Sequence, residues 1–345
     1  MSAPLRIGLI GAGGIAGAYA ELFDAVDVAQ LVAVADTNFA AAQAMAERVH
    51  AMPFESYTDL GEQAGVEAVI ICTPPATHVE IASHFLKRRI AVLCEKPLAT
   101  STSSASALVE LAQRNGIVLT MAAKFRFVDD VIRAKSIVDS GILGDIILFE
   151  NAFASRVSMA GRWNADPDVS GGGVLIDNGT HSVDIVRYFL GPIAEVMAVE
   201  AKRVQNLPVE DTAQLFLRTA SGVAATVDLS WSINKELDSF INVYGSQGTI
   251  RVGWRESKYR QASSPDWVVF GHGYQKLDCM RRAVENFCGA VRGTRQLLIT
   301  PEEAIASVDV IDAAYRSLGR GGWVSVKGYD DHAEKPPVRR ISGVA

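Results

Sequence analysis

Leu5-Arg6-Ile7-Gly8-Leu9-Ile10-Gly11-Ala12-Gly13-Gly14-Ile15-Ala16 decides the fold of this 345-residue chain. LRIGLI reads as a buried strand, and the residues from Gly14 to Ala25 read as a helix. Between them lies G-x-G-x-x-A, a strand-to-helix turn of the kind that cradles a pyrophosphate. Gly11 makes the tight turn. Gly13 lets a phosphate approach the backbone, and the small Ala16 allows close helix–strand packing. Amides at the helix start, around Gly14 and Ile15, then face the anion.

Working outward, LVAVAD is a second strand, and its last residue, Asp36, stands 20 residues after Ala16. An acidic group there accepts hydrogen bonds from an adenosine ribose and repels a 2′-phosphate. Thr37 and Asn38 offer no compensating cation, so NAD is favoured over NADP. The plainer reading of Asp36 is a cap for the helix Phe39 to His50. VEAVIICT, IAVLCE and IVLT are further buried strands. The segments from Ala76 to Arg89 and from Thr100 to Asn115 have helical composition. Continuous Val/Ile runs separated by helices indicate a parallel sheet covered on both faces.

Two strand ends border the cleft expected at the carboxyl edge of such a sheet. One is Cys72-Thr73-Pro74-Pro75-Ala76-Thr77-His78, which places Thr73 and Pro74 beside the cofactor. His78 is expected as a helix-start residue near the cofactor and not as a catalyst. The other is Glu95-Lys96-Pro97. Lys96 closes an apolar strand, where a cation needs a reason, the alternative being an ordinary surface lysine. Pro97 could set its direction, a cis bond being one way.

Past Phe127 the pattern changes. A helix from Phe127 to Ser140 leads to long strand-like segments: DIILFENAFASR, IAEVMAVEAKRV, DTAQLFLRT, GVAATVDLSW and DSFINVYGSQGTIRV. Short Gly/Ser turns join several of them and suit an antiparallel meander. A helix from Val174 to Leu190 interrupts the strands, and two late helices span about 275–292 and 301–318. Within Gly171 to Asp184, GGGVLIDNGTHSVD, Asp177 and His181 are four residues apart and share one helix face. Three glycines before them would let another molecule approach the backbone. A carboxylate and an imidazole facing an open space suit proton transfer to or from a hydroxyl, although such a pair also occurs as a satisfied core contact.

Hydrophobic residues make up 49% and charged residues 21% of the chain, enough for two cores. A net charge of −6 argues against a nucleic-acid partner. No run of 18 apolar residues supports a membrane span, and the glycine-broken N-terminus reads as strand and turn, not a signal peptide. Cys72, Cys94, Cys279 and Cys288 form no C-x-x-C pair, which points to reduced structural thiols in a cytoplasmic protein and to no metal site.

Jointly GAGGIA, TPPATH, Glu95-Lys96-Pro97 and the GGG…DNGTHSVD segment resemble the Gfo/Idh/MocA family, the glucose–fructose oxidoreductase and inositol dehydrogenase group, from about residue 5 to residue 326. The resemblance implies a Rossmann doubly wound parallel sheet at 1–123. It implies a substrate-binding and oligomerising α+β domain at 124–330 with an open, mostly antiparallel sheet. The late helix 301–318 could pack back on the first domain, and 331–345 is expected to be a disordered tail. A hydride would pass between NAD(P) and a secondary alcohol or ketone of a sugar or cyclitol. Lys96, Asp177 and His181 take the family's catalytic positions, His181 as base, Lys96 on the same oxygen, and Asp177 on a neighbouring hydroxyl. Oxidation is then expected to rise through one ionisation near neutrality. Arg126, Arg162, Trp163 and Asn178 are expected to reach substrate, and a homodimer or homotetramer is implied. Two alternatives stay open on this scaffold: an NAD-dependent glycosidase or lyase, and a non-catalytic NAD-binding regulator.

Overall fold

A computed structural model describes residues 3–327; the tail expected at 331–345 lies outside them. The first half contains β1 (Leu5–Ile10), α1 (Gly14–Leu22), β2 (Ala29–Ala35), α2 (Phe39–Val49), β3 (Met52–Phe54), α3 (Tyr57–Gln63) and β4 (Ala68–Ile71). It continues with α4 (His78–Lys87), β5 (Ala91–Cys94), α5 (Thr102–Asn115) and β6 (Leu119–Met121). Six strands form one parallel sheet in the order β3-β2-β1-β4-β5-β6. This is the doubly wound order, with its switch point between β1 and β4. Alternate side chains of each strand enter two different cores. Ile10, Val69, Ile71 and Val92 pack with α4 and α5. Leu5, Ile7, Leu9 and Ile70 pack with α1 and α2 on the other face.

The second half contains α6 (Asp129–Asp139), β7 (Ile146–Ala154), α7 (Pro167–Ser170), α8 (Val174–Leu190), β8 (Ile193–Glu200), β9 (Thr212–Thr219) and β10 (Ala224–Ser230). Then follow β11 (Ser239–Gly245), β12 (Gly248–Gly253), β13 (Ser257–Gln261), β14 (Val268–Gly271), α9 (Lys276–Val291), α10 (Pro301–Arg320) and β15 (Val324–Ser325). Its nine strands run in the order β14-β13-β12-β11-β7-β10-β9-β8-β15. The expected simple meander is corrected here: β7 inserts between β11 and β10 and pairs parallel with β10, while the other pairings are antiparallel. Helices α8 and α10 cover one face of strands β8–β10.

The late helices tie the two halves together. Met280, Val284, Phe287 and Cys288 of α9 are buried in the apolar cluster that holds β1 and α1. Helix α10 packs on α8 and β8 and also on α5 and β6. Thr300 starts it with a capping box and Pro301 follows in its first turn. The Thr102 amide donates to the Asp312 carboxylate at 2.9 Å, and Gln113 donates to Glu302 at 2.8 Å.

Candidate active site

The fingerprint loop opens onto a cleft of about 530 Å³ that contains Gly11, Gly13, Asp36, Thr73 and Pro74. Gly11 has φ +95°, and a Cβ on it would meet the Cys72 backbone at 3.0 Å, so the chain itself requires glycine there. A Cβ on Gly13 or Gly14 would meet nothing within 4 Å. Gly13 caps α1 without any side-chain hydrogen bond. The first amides of the helix are therefore free for an anion, and the glycines leave room for it. Ala16 is fully buried and serves helix packing.

Asp36 accepts from the Ala12 amide at 2.7 Å and from the Asn38 amide at 2.8 Å. It thus holds the glycine turn against the end of β2 while still lining the cleft. The cap of α2 is Asn38, whose side chain accepts from the Ala41 amide.

A second cavity of about 480 Å³ meets the first at Cys72, Thr73 and Trp163. Ile15, Glu95 and Lys96 enter it from the Rossmann half, and Asp177, Asn178 and His181 enter it from α8. The Lys96–Pro97 peptide is cis. Lys96 Nζ donates to the Asp177 carboxylate and, at 3.1 Å, to the Asp177 carbonyl oxygen. Glu95 accepts from the Tyr19 hydroxyl at 2.9 Å and from the Lys96 amide at 3.2 Å. His181 is 8% exposed, and its ring lies 5.0 Å from Phe125, edge to face. Burial holds this imidazole well below its ordinary pKa, and the nearby ammonium groups of Lys96 and Lys124 add to the effect. His181 is therefore neutral around pH 7, with a ring nitrogen able to accept a proton.

Helix α8 owes its position to a residue the sequence did not flag. One oxygen of Glu210 accepts from the amides of Gly173 and Leu175 and from the Tyr315 hydroxyl, at 3.0, 3.0 and 2.9 Å. This carboxylate caps the helix from another segment and complements its dipole. The expected role of the three glycines is corrected accordingly. A Cβ on Gly172 would sit 1.9 Å from the Tyr315 hydroxyl, and one on Gly173 would sit 2.0 Å from the Glu210 carbonyl oxygen. The molecule that approaches this backbone is the chain itself.

Two further expectations, and part of a third, are corrected. Arg126 is only 1% exposed and lines neither cavity; it pairs with Asp184 at 2.9 Å and with Glu303 at 2.7 Å. Arg162 is exposed and lines neither cavity. His78 is fully buried, with one ring nitrogen 2.7 Å from the Pro97 carbonyl oxygen and the other 2.8 Å from that of Thr73. It starts α4 as expected, fastens the two strand-end segments together, and lines neither cavity. Trp163 lies between the two cavities, and the Asn178 amide donates to the Phe153 carbonyl at 3.4 Å. Lys124, passed over in the sequence, takes the place expected for Arg126 in the cavity wall. Among the described residues no group of three or more His, Cys, Asp or Glu is placed to hold a metal ion, and no described helix is long and apolar enough to cross a membrane.

Residues 5–123 match the family model described as "Oxidoreductase family, NAD-binding Rossmann fold", and residues 131–251 match the GFO/IDH/MocA C-terminal domain. The chain belongs to the Gfo/Idh/MocA oxidoreductase family. It is 30% identical over 335 residues to an inositol 2-dehydrogenase of Rubrobacter xylanophilus, covering 92% of each chain. It is 26% identical to an inositol 2-dehydrogenase of Rhizobium meliloti, covering 93% of this chain and 99% of that one. Among solved structures it superposes on GenD2 from gentamicin A biosynthesis, in complex with NAD, with a TM-score of 0.83 at 26% identity, covering 94% and 97% of the two chains.

Proposed function

We propose that this protein transfers a hydride between NAD and a secondary alcohol or ketone of a sugar or cyclitol. One observation carries the reading. Lys96 from the Rossmann half and His181 from α8 line a single cavity, and that cavity opens onto the fingerprint cleft through Thr73 and Trp163. NAD supplies the hydride acceptor. Neutral His181 takes the hydroxyl proton, which lets the carbon release its hydride, and such a base contributes about 10²–10⁴-fold. The Lys96 ammonium stabilises negative charge on the same oxygen. Asp177 orients Lys96 and accepts from a neighbouring hydroxyl. Asn178 and the exposed face of Trp163 suit the remaining hydroxyls and a ring face. Asp36 disfavours a 2′-phosphate, so NAD is preferred to NADP.

The same reading includes a homodimer or homotetramer formed through the sheet face that α8 and α10 leave uncovered. It also includes a reducing, cytoplasmic setting, which suits four free buried cysteines. The test is a spectrophotometric screen of sugars, cyclitols and nucleotide sugars with NAD and NADP separately, paired with light scattering for the assembly. Net NADH formation that collapses in Lys96→Ala and His181→Asn, with NAD binding retained, is the expected outcome. Product release without net NADH would overturn it in favour of transient oxidation.

A further inference from the structure

Of the three lysines that line the substrate cavity, one lacks a partner within the described residues. Lys96 pairs with Asp177, and Lys235 pairs with Asp228. Glu95 is held by the Tyr19 hydroxyl and the Lys96 amide. Lys124 also lines the cavity, yet among the described residues it makes neither a hydrogen bond nor an ion pair. It stands on the 3₁₀ turn from Lys124 to Phe127, and its Nζ lies 5.6 Å from the Phe125 ring centre and 6.0 Å from that of Tyr274. Glu95 attracts it, and Lys96 and Lys276 repel it. Burial dominates and lowers its pKa. An ammonium against two aromatic rings gains something from their faces. Lys124 is half-buried, so its remaining donors face the cavity without a partner among the described residues.

We propose that Lys124 receives a carboxylate of the substrate, so that the alcohol acted on belongs to a sugar acid, an aldonate or a uronate. This rests on the dehydrogenase reading above and names its substrate class. One ammonium without a direct partner suits one carboxylate. A phosphate monoester near −2 would leave a negative charge uncompensated in an aromatic-walled space, and it is better held by a forked guanidinium than by one point charge. Arg126, two residues on, is the guanidinium nearest in sequence, and it is consumed in the core by Asp184 and Glu303. The carboxylate would also offset the repulsion Lys124 exerts on any positive charge that develops at His181 as it takes the proton.

The experiment compares matched pairs, D-glucuronate with D-glucose and D-gluconate with D-glucitol, with D-glucose 6-phosphate as a third arm. Wild type is expected to favour the acid of a pair in kcat/KM. Lys124→Met is expected to cost the acid about 10- to 100-fold more than its neutral partner, mostly in KM, as loss of one charge-assisted bond predicts. Lys124→Arg should restore part of the preference. Equal losses for acid and neutral sugar would make Lys124 merely structural and overturn the proposal. A wild-type preference for neutral sugars, or for the phosphate over glucuronate, would also overturn it. If none of the sugars, cyclitols and nucleotide sugars of the wider screen is turned over, the dehydrogenase reading fails separately. Glucuronate quenching of bound-NADH fluorescence in wild type but not in Lys124→Met would then still support the anion site, and its absence in both would sink it.

Discussion

Gly11 and Gly13 stand two residues apart and are glycine for different reasons. Gly11 answers to its own chain, through its positive φ and the Cys72 backbone, whereas Gly13 faces only the cleft. Gly13→Ala should therefore leave thermal stability nearly unchanged and weaken NAD binding, while Gly11→Ala should destabilise the fold itself. Titration calorimetry beside a melting curve separates the two, and equal effects on both quantities would refute the distinction. His181 carries a second prediction. With its pKa held down by burial, Lys96 and Lys124, the neutral base persists into acid. Alcohol oxidation should then be flat through neutrality, and its acid limb should lie below the ordinary histidine value of about 6.5. This moves the ionisation expected near neutrality, because the sequence shows neither the burial nor the second lysine. A limb at or above that value, with chemistry limiting the rate, would remove His181 as the base. The short run Lys124-Phe125-Arg126-Phe127 shows where reading stops: two cations alternate with two rings, and nothing local says which cation turns inward. Core carboxylates from α8 and α10 decide it.

Among the elements, long periodic ones were legible and short ones were not. Helices α8 and α10 begin and end within a residue or two of expectation, since their apolar faces, and for α10 its capping box, are written locally. Strand β3 has three residues with a proline in the middle, and α3 carries a glycine within its seven, so neither shows a period. Strands β13 and β14 sit at the edge of the second sheet and lack an apolar alternation. The parallel β7–β10 pairing joins segments some 70 residues apart, which no turn signal encodes. Glu210 was invisible for the same reason, since its partners Gly173 and Tyr315 are distant in sequence. Because it caps the helix that carries Asp177 and His181, Glu210→Ala should misplace both. A shift near 1 Å costs about 10²-fold in rate. Glu210→Gln keeps an acceptor and should recover most of the loss. Unchanged kcat in a folded Glu210→Ala variant would count against this role.

At the level of the whole molecule, the cofactor-binding half does not close its core alone. Apolar side chains of α9 complete the layer over α1, and α10 lies across both sheets. Expression of residues 1–123 by themselves should yield a dye-binding, loosely packed species, because the surface left bare by Met280, Val284 and Phe287 is apolar. A soluble fragment with sharp amide signals and no dye binding would disprove this. Recombination experiments inherit the consequence: a chimera that exchanges only the N-terminal segment places a foreign lining against α9, so the natural unit of exchange is discontinuous in the gene. Swapping coenzyme preference by grafting should succeed when that late helix travels with its sheet, and should yield inclusion bodies when it stays behind.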